Sequence, residues 1–92
     1  MSDLYMDYEF NPINERNYNM MTFGEAIKQM HNGQKVCRAG WNGKGMWLAI
    51  QNPDENSKMT LPYIYMKTAD NNLVPWLASQ TDMLAIDWQL LA

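Results

Sequence analysis

Two segments concentrate the side chains able to hold a planar, polar molecule: RAGWNGKGMWLAI (residues 38–50) and MKTADNNLVPWLASQTDMLAIDW (residues 66–88). Trp41 stands between a glycine and an asparagine, and Trp76 follows a proline. Turns at such residues leave an aromatic face uncovered, and stacking a base on such a face contributes roughly 1–3 kcal/mol. Arg38 adds a guanidinium, which on a strand beside a tryptophan suits a phosphate or an adenine face. A surface ion pair stacked on Trp47 accounts for Arg38 equally well. Core or interface packing is the commoner fate of any tryptophan; Trp88, inside an apolar run, is expected in the core.

The chemistry of bond-breaking is poorly provided for. Acid–base catalysis needs titratable groups brought together. Asp82 and Asp87 are close enough in sequence to meet, yet Asp82 also suits the first turn of a helix, where the dipole favours a carboxylate. His31 falls at a helix end among polar neighbours, where capping or solvation explains it. One histidine and one cysteine, Cys37, make neither a zinc set nor a Cys–His pair. Gly40, Gly43 and Gly45 lack the strand–loop–helix context of a phosphate loop and are explained by turns. No catalytic residue, metal ligand or cofactor is therefore expected.

Composition bounds the partners. Ninety-two residues fit one small domain with a marginal core, burying roughly 60–65% of the surface of the unfolded chain. Apolar residues make up 47% and charged residues only 18%, with four tryptophans and nine methionines. So weakly charged a small chain is expected to bury apolar surface against copies of itself. The net charge is −3, with seven Lys and Arg spread along the chain. A polymeric nucleic acid calls for a basic stripe, and there is none, whereas a small phosphorylated ligand needs only one or two cations. The single cysteine fits a reducing compartment, and the first ten residues carry acids where a secretory signal needs positive charge. No apolar run approaches the ~20 residues of a membrane span. A soluble, cytoplasmic protein with no membrane partner is expected.

The elements that must position these side chains follow from local patterns. Residues 1–20 read as a flexible arm or linker, with NPINERNYN (11–19) polar and aperiodic, and residues 21–92 as one domain. Thr22 and Glu25 form a capping box, apolar residues follow at helical spacing, and Gly33 supplies the stop, so a helix runs from about Phe23 to Asn32. Asn42-Gly43 is the signature of a type I′ hairpin turn. A two-residue loop there pairs Arg38 with Trp47 and Cys37 with Leu48. It places Cys37, Ala39, Met46, Leu48 and Ile50 on a core face, with Arg38 and Trp47 together on the other. A strand over 61–68, a turn at Asp70-Asn71 and a return strand ended by Pro75 come next. A weaker capping box, Ser79 to Asp82, starts a short helical turn, and 86–91 reads as a last strand. The fold class is α+β: one N-terminal helix packed on a small, mostly antiparallel sheet, with one further short helical turn.

The segments MTFGEAI, GQKVCRAGWNGKGMWLAI and YMKTADNNLVPWLASQTDMLAIDWQLL resemble a family of small phage and prophage proteins that includes the second type of Thoeris anti-defence protein. The resemblance covers residues 21–91, and its motifs, RAGWNGKGM and KTAD…VPWLASQTDMLAxDW, are long and specific. This chain departs from the family in its N-terminal arm, a shortened loop over 52–60, and Asn71 where glycine is more usual. The resemblance implies a phage protein acting in the host cytoplasm as a sponge for glyco-cyclic ADP-ribose, the signal that activates the Thoeris effector. Cyclic di- or trinucleotides are further ligands it implies, and a homo-oligomer, with a tetramer favoured, would build pockets between subunits. On that reading Trp41 or Trp76 stacks the base, with Phe23 counted among the pocket residues, and Arg38 and Lys44 meet phosphate. Asn42, Gln80, Thr81 and Asp82 hydrogen-bond hydroxyls or the base edge. An enzyme cleaving the signal with Asp82 or Asp87 as base, and a phage structural or protein-interaction module, are the alternatives.

Overall fold

The computed structural model describes residues 20–91; the expected arm over 1–20 lies outside the described residues but for Met20. Helix α1 (Phe23–His31) begins as its capping box dictates. The Thr22 hydroxyl accepts the Glu25 N–H at 3.2 Å, and the Glu25 carboxylate accepts the Thr22 N–H at 2.9 Å, satisfying two donors that the first turn leaves free. Asn32 caps the far end, and Gly33 follows with φ 88°, a conformation nearly free of cost only for glycine.

Five strands follow: β1 (Val36–Arg38), β2 (Trp47–Gln51), β3 (Tyr63–Lys67), β4 (Leu73–Pro75) and β5 (Trp88–Leu90), with helix α2 (Gln80–Leu84) between β4 and β5. They form one antiparallel sheet in the order β4-β3-β2-β1-β5. The last strand is inserted beside β1, so the C-terminal segment carries α2 back over the start of the domain. Met21 bridges Trp88 on the outer side of β5, giving that edge two further backbone hydrogen bonds. The opposite edge, β4, ends at Pro75, which has no N–H to give to a ladder.

Helix α1 lies against β1, β2 and β5. Its Ala26 and Met30 meet Val36, Leu48 and Trp88 in a fully buried cluster, with Ile50, Ile64 and Met66 around it. These sheet residues share one face by alternation, and on the other face, carrying Cys37, Trp47, Ala49, Tyr63, Tyr65 and Gln89, no helix packs among the described residues. The expected α+β class is the observed one.

The first hairpin departs from its expected form. Val36, not Cys37, stands opposite Leu48, and the connection spans residues 39–46 rather than two. A slip of one residue exchanges the faces. Arg38 therefore shares the helix-covered face with Val36 and Trp88, while Trp47 and Cys37 face the other way. The cause is competition for the backbone after Arg38. Ala39 N–H donates to the Asp87 carbonyl, Gly40 N–H to the Asp87 carboxylate and Trp41 N–H to the Arg38 carbonyl, so the chain bends away before it reaches Asn42. Positive φ falls at Gly45 and not at Asn42 or Gly43, so no type I′ turn forms. The second turn is as expected: Asn71 has φ 69°, which asparagine tolerates better than most residues. The Thr68 hydroxyl closes that turn by accepting the Asn72 N–H at 3.0 Å.

Candidate functional site: an ion-paired cluster ringed by aromatic rings

Arg38 meets two aspartates distant in sequence, Asp82 and Asp87, where β1, β5 and α2 converge. Arg38 Nε donates to Asp87 Oδ1 and Arg38 NH1 donates to Asp82 Oδ1, each at 2.8 Å. The second oxygen of each carboxylate is also engaged. Asp87 Oδ2 accepts the Gly40 N–H at 2.8 Å, and Asp82 Oδ2 accepts the Ser79 hydroxyl at 2.9 Å. Trp41 Nε1 donates to Asp82 Oδ1 at 3.4 Å, the longest contact of the group. Asp82 is set in place by Ser79, whose hydroxyl accepts the Asp82 N–H at 3.0 Å as the N-cap of α2. A Cβ at position 40 would come within 2.8 Å of Asp87 Oδ2, so any larger residue there displaces the carboxylate from the Gly40 N–H.

Beside this cluster the aromatic rings converge on Trp88, which is fully buried. Phe23 lies 5.2 Å from it, Trp41 5.4 Å at an interplanar angle of 80°, and Trp76 6.2 Å at 85°. Phe23 and Trp76 are themselves 6.0 Å apart. Edge-to-face pairs at such distances are favourable beyond their burial. Trp88 Nε1 donates to the Asp82 carbonyl at 2.9 Å, tying the aromatic hub to the ionic cluster. Trp41 and Trp76 are half-buried: each has one surface against the hub and retains some exposure.

The electrostatics follow from this geometry. The hydrogen bond from Arg38, ahead of that from Gly40, holds the Asp87 carboxyl below the usual carboxylate range. Burial pushes Asp82 up, but hydrogen bonds from Arg38, Ser79 and Trp41 outweigh it, and the net displacement is also downward. Hydrogen bonds to Asp87 and Asp82 strengthen the hold of Arg38 on its proton. The cluster is therefore one cation and two carboxylates, a net charge of −1 by that count. A general base works best with a pKa near the working pH, so carboxylates held low are suited to accepting hydrogen bonds rather than to taking protons.

Of the residues singled out in the sequence, the fold brings together Phe23, Arg38, Trp41, Trp76 and Asp82. Asn42 and Lys44 are exposed on the 39–46 loop, and Gln80 and Thr81 are exposed on the first turn of α2. Trp47 is not part of the group. On the opposite face it sits edge-on to Tyr65 at 5.9 Å, with the Lys35 ammonium 4.6 Å above its ring. Sequence reasoning brought Asp87 together with Asp82 only as a candidate base; it missed the pairing of Asp87 with Arg38 and Trp88 as the centre. The signal was an aspartate inside the apolar run LAIDWQLL, where a charge needs a partner. Among the described residues no group of three His, Cys, Asp or Glu side chains could hold a metal ion, and no helix is long and apolar enough to cross a membrane. A separate depression of about 200 Å³ lies at the β4 edge, lined by Gln51, Tyr63, Tyr65, Leu73, Val74 and Pro75.

Two helices and an open antiparallel sheet among the described residues, with half-buried aromatic rings beside a satisfied ionic cluster, define a small α+β domain with a polar–aromatic site. Residues 21–91 match the family profile described as the Thoeris anti-defense 2-like domain. A protein of Bacillus phage SP01 named Thoeris anti-defense 2 is 38% identical over 85 residues, covering 78% of this chain and 96% of that protein. The chain belongs to the Thoeris anti-defense 2-like family.

Proposed function

We propose that this protein counters Thoeris defence by binding and sequestering glyco-cyclic ADP-ribose without cleaving it, which keeps the Thoeris effector inactive. Family membership supports the anti-defence role. The observation that best supports a binding mechanism is the pairing of Trp41 and Trp76, half-buried on one aromatic hub, with carboxylates pinned in their ionised form beside them. A nucleotide signal offers a base face to the rings and ribose hydroxyls to the carboxylates. Lys44, Asn42, Gln80 and Thr81 stand exposed on the two adjoining segments, where they supply a cation and amide or hydroxyl partners.

We read the protein as a homo-oligomer, with a tetramer favoured, and the exposed apolar residues support association between copies. Leu77, Leu84 and Ile86, at and around α2, are 92%, 79% and 69% exposed. Contact between copies there would bury them next to the site and wall in a ligand too large for one subunit to enclose. Cyclic di- or trinucleotides are further ligands on this reading, and the host cytoplasm is where the signal is met.

A sponge needs affinity without turnover. Micromolar binding corresponds to about −8 kcal/mol and nanomolar to about −12 kcal/mol, within reach of one stacked base and several hydrogen bonds in a preformed pocket. The test is calorimetric titration with glyco-cyclic ADP-ribose, followed by heat release and chromatography of the nucleotide. Tight binding with intact nucleotide recovered is the expected result. An altered nucleotide means an enzyme, and absence of heat refutes the assignment of this ligand.

A further inference from the structure

Arg38 shares the Asp82 carboxylate with the Trp41 indole N–H, and a phosphate contact is the obvious role for such a cation. The geometry points to a different one: we infer that Arg38, with Asp82 and Asp87, is a latch that sets the position of Trp41, and that the ligand meets this cluster through hydrogen-bond donors and not through phosphate. The inference rests on the proposed nucleotide-binding role of the site but concerns how the site is built.

Three observations carry it. First, the guanidinium is already committed to two carboxylates at 2.8 Å, and its side chain is only 16% exposed. A phosphate approaching it would meet a cluster whose summed charge is −1, which repels an anion instead of gathering one. Second, each partner of Arg38 also holds the segment that carries Trp41. Asp87 takes the Gly40 N–H with its second oxygen, and Asp82 takes the Trp41 indole N–H. The fork of the guanidinium fixes both acceptors at once, which a point charge cannot do. Third, the register that places Arg38 opposite Trp88 puts the latch directly beside the ring that Trp41 packs against, at 5.4 Å and 80°. The latch and the aromatic platform are one unit. The acceptor-rich character that remains suits a ribose hydroxyl or an exocyclic amino group.

The substitution Asp87→Asn separates the two roles by sign. Asp87 meets the Arg38 Nε–H and the Gly40 N–H with different oxygens, and asparagine puts an NH2 donor in place of one of them, so one of the two bonds is lost. If Arg38 were an anion contact, removing a neighbouring negative charge would free it and tighten binding of glyco-cyclic ADP-ribose. As a latch, the substitution releases residues 39–41, lowers the near-ultraviolet circular dichroism of the Trp41–Trp88 pair, and weakens binding by about tenfold. Arg38→Lys is the companion variant: it keeps the charge but loses the fork, so the latch predicts the same spectral loss, whereas an anion contact would keep both spectrum and affinity. Should Asp87→Asn fail to fold, Arg38→Lys decides alone. An unchanged spectrum in the folded variants, or tighter binding by Asp87→Asn, overturns the latch. Should the wild-type protein bind none of this nucleotide, the proposed function falls, and the spectra still decide the latch.

Discussion

Each face of the sheet presents one strand tryptophan, and the two residues live under opposite conditions. Trp88 is fully buried beneath α1, ringed by Phe23, Trp41 and Trp76, with its indole N–H bonded to the Asp82 carbonyl. Trp47 lies half-buried on the open face, edge-on to Tyr65 and with a lysine above it. Both are tryptophans in short antiparallel strands, so propensity does not separate them. What separates them is which parity of the strand the helix covers, and that is set by the register of β1 against β2 and β5. On the covered face the polar and aromatic groups are joined through Asp82, which takes bonds from Arg38, the Trp41 indole and the Trp88 indole. On the open face the contacts are local and separable.

The covered face should therefore answer most strongly to substitution. Trp88→Ala removes the ring that Phe23, Trp41 and Trp76 pack against and leaves the Asp82 carbonyl without its donor. A loss of roughly 3–5 kcal/mol is expected, in the range for truncating a buried aromatic side chain. For a chain this small that is a large share of the total stability, so Trp88→Ala should be partly unfolded at room temperature by circular dichroism. A cooperative melt within a few degrees of wild type would show that the hub is not where this domain keeps its stability.

Trp41→Ala should separate binding from stability. Trp41 is half-buried at the edge of the hub, so its loss costs the fold less than that of Trp88; on the proposed binding role it also removes a stacking surface worth roughly 1–3 kcal/mol per base. The expected outcome is a folded protein whose affinity for glyco-cyclic ADP-ribose drops by about tenfold or more. A folded variant with wild-type affinity would move the platform to Trp76 or off the covered face.

Acid should act on the covered face as well. Asp82 and Asp87 have carboxyls held below their ordinary values in the folded protein. A depressed carboxyl contributes stability that is complete above the unfolded value, near 3.9, and is lost as pH falls through the folded value. Stability measured by urea titration should thus be level near neutrality and decline below about pH 4. Asp87→Asn should flatten that decline, because one of the two linked carboxyls is gone. An identical pH profile in wild type and variant would mean that Asp87 ionises as it does in the unfolded chain.

The comparison of the faces also marks what the sequence could disclose. Local chemistry was legible: the capping box of Thr22 and Glu25, the Gly33 stop, the Ser79 cap of α2, the turn at Asn71 and the strand ended by Pro75 all depend on near neighbours. So was the burial of Trp88 within an apolar run. The register of the first hairpin was not, because it is decided by Asp87, nearly fifty residues away, which captures the Gly40 N–H before Asn42-Gly43 can turn the chain. That single long-range contact moved Arg38 and Trp47 to opposite faces. The candidate residues divide the same way. Phe23, Arg38, Trp41, Trp76 and Asp82 converge, while the pairing of Arg38 with Asp87 needed the knowledge that β5 lies beside β1.

The open face should give the smallest effect, and Lys35→Ala measures it. The Lys35 ammonium sits 4.6 Å above the Trp47 ring, and at an exposed site such a contact is worth about 0.5–1 kcal/mol. The backbone of Lys35 is untouched by the change, and its carbonyl keeps the hydrogen bond from Leu91 N–H at 2.9 Å. A domain of this size loses roughly 4–8 °C of melting temperature per kcal/mol, so a shift of a few degrees is expected. Binding of glyco-cyclic ADP-ribose should be unchanged, because Lys35 and Trp47 face away from Trp41, Trp76 and the carboxylates. A clear loss of affinity in Lys35→Ala would place phosphate recognition on the open face and reverse the division of labour between the two sides of the sheet.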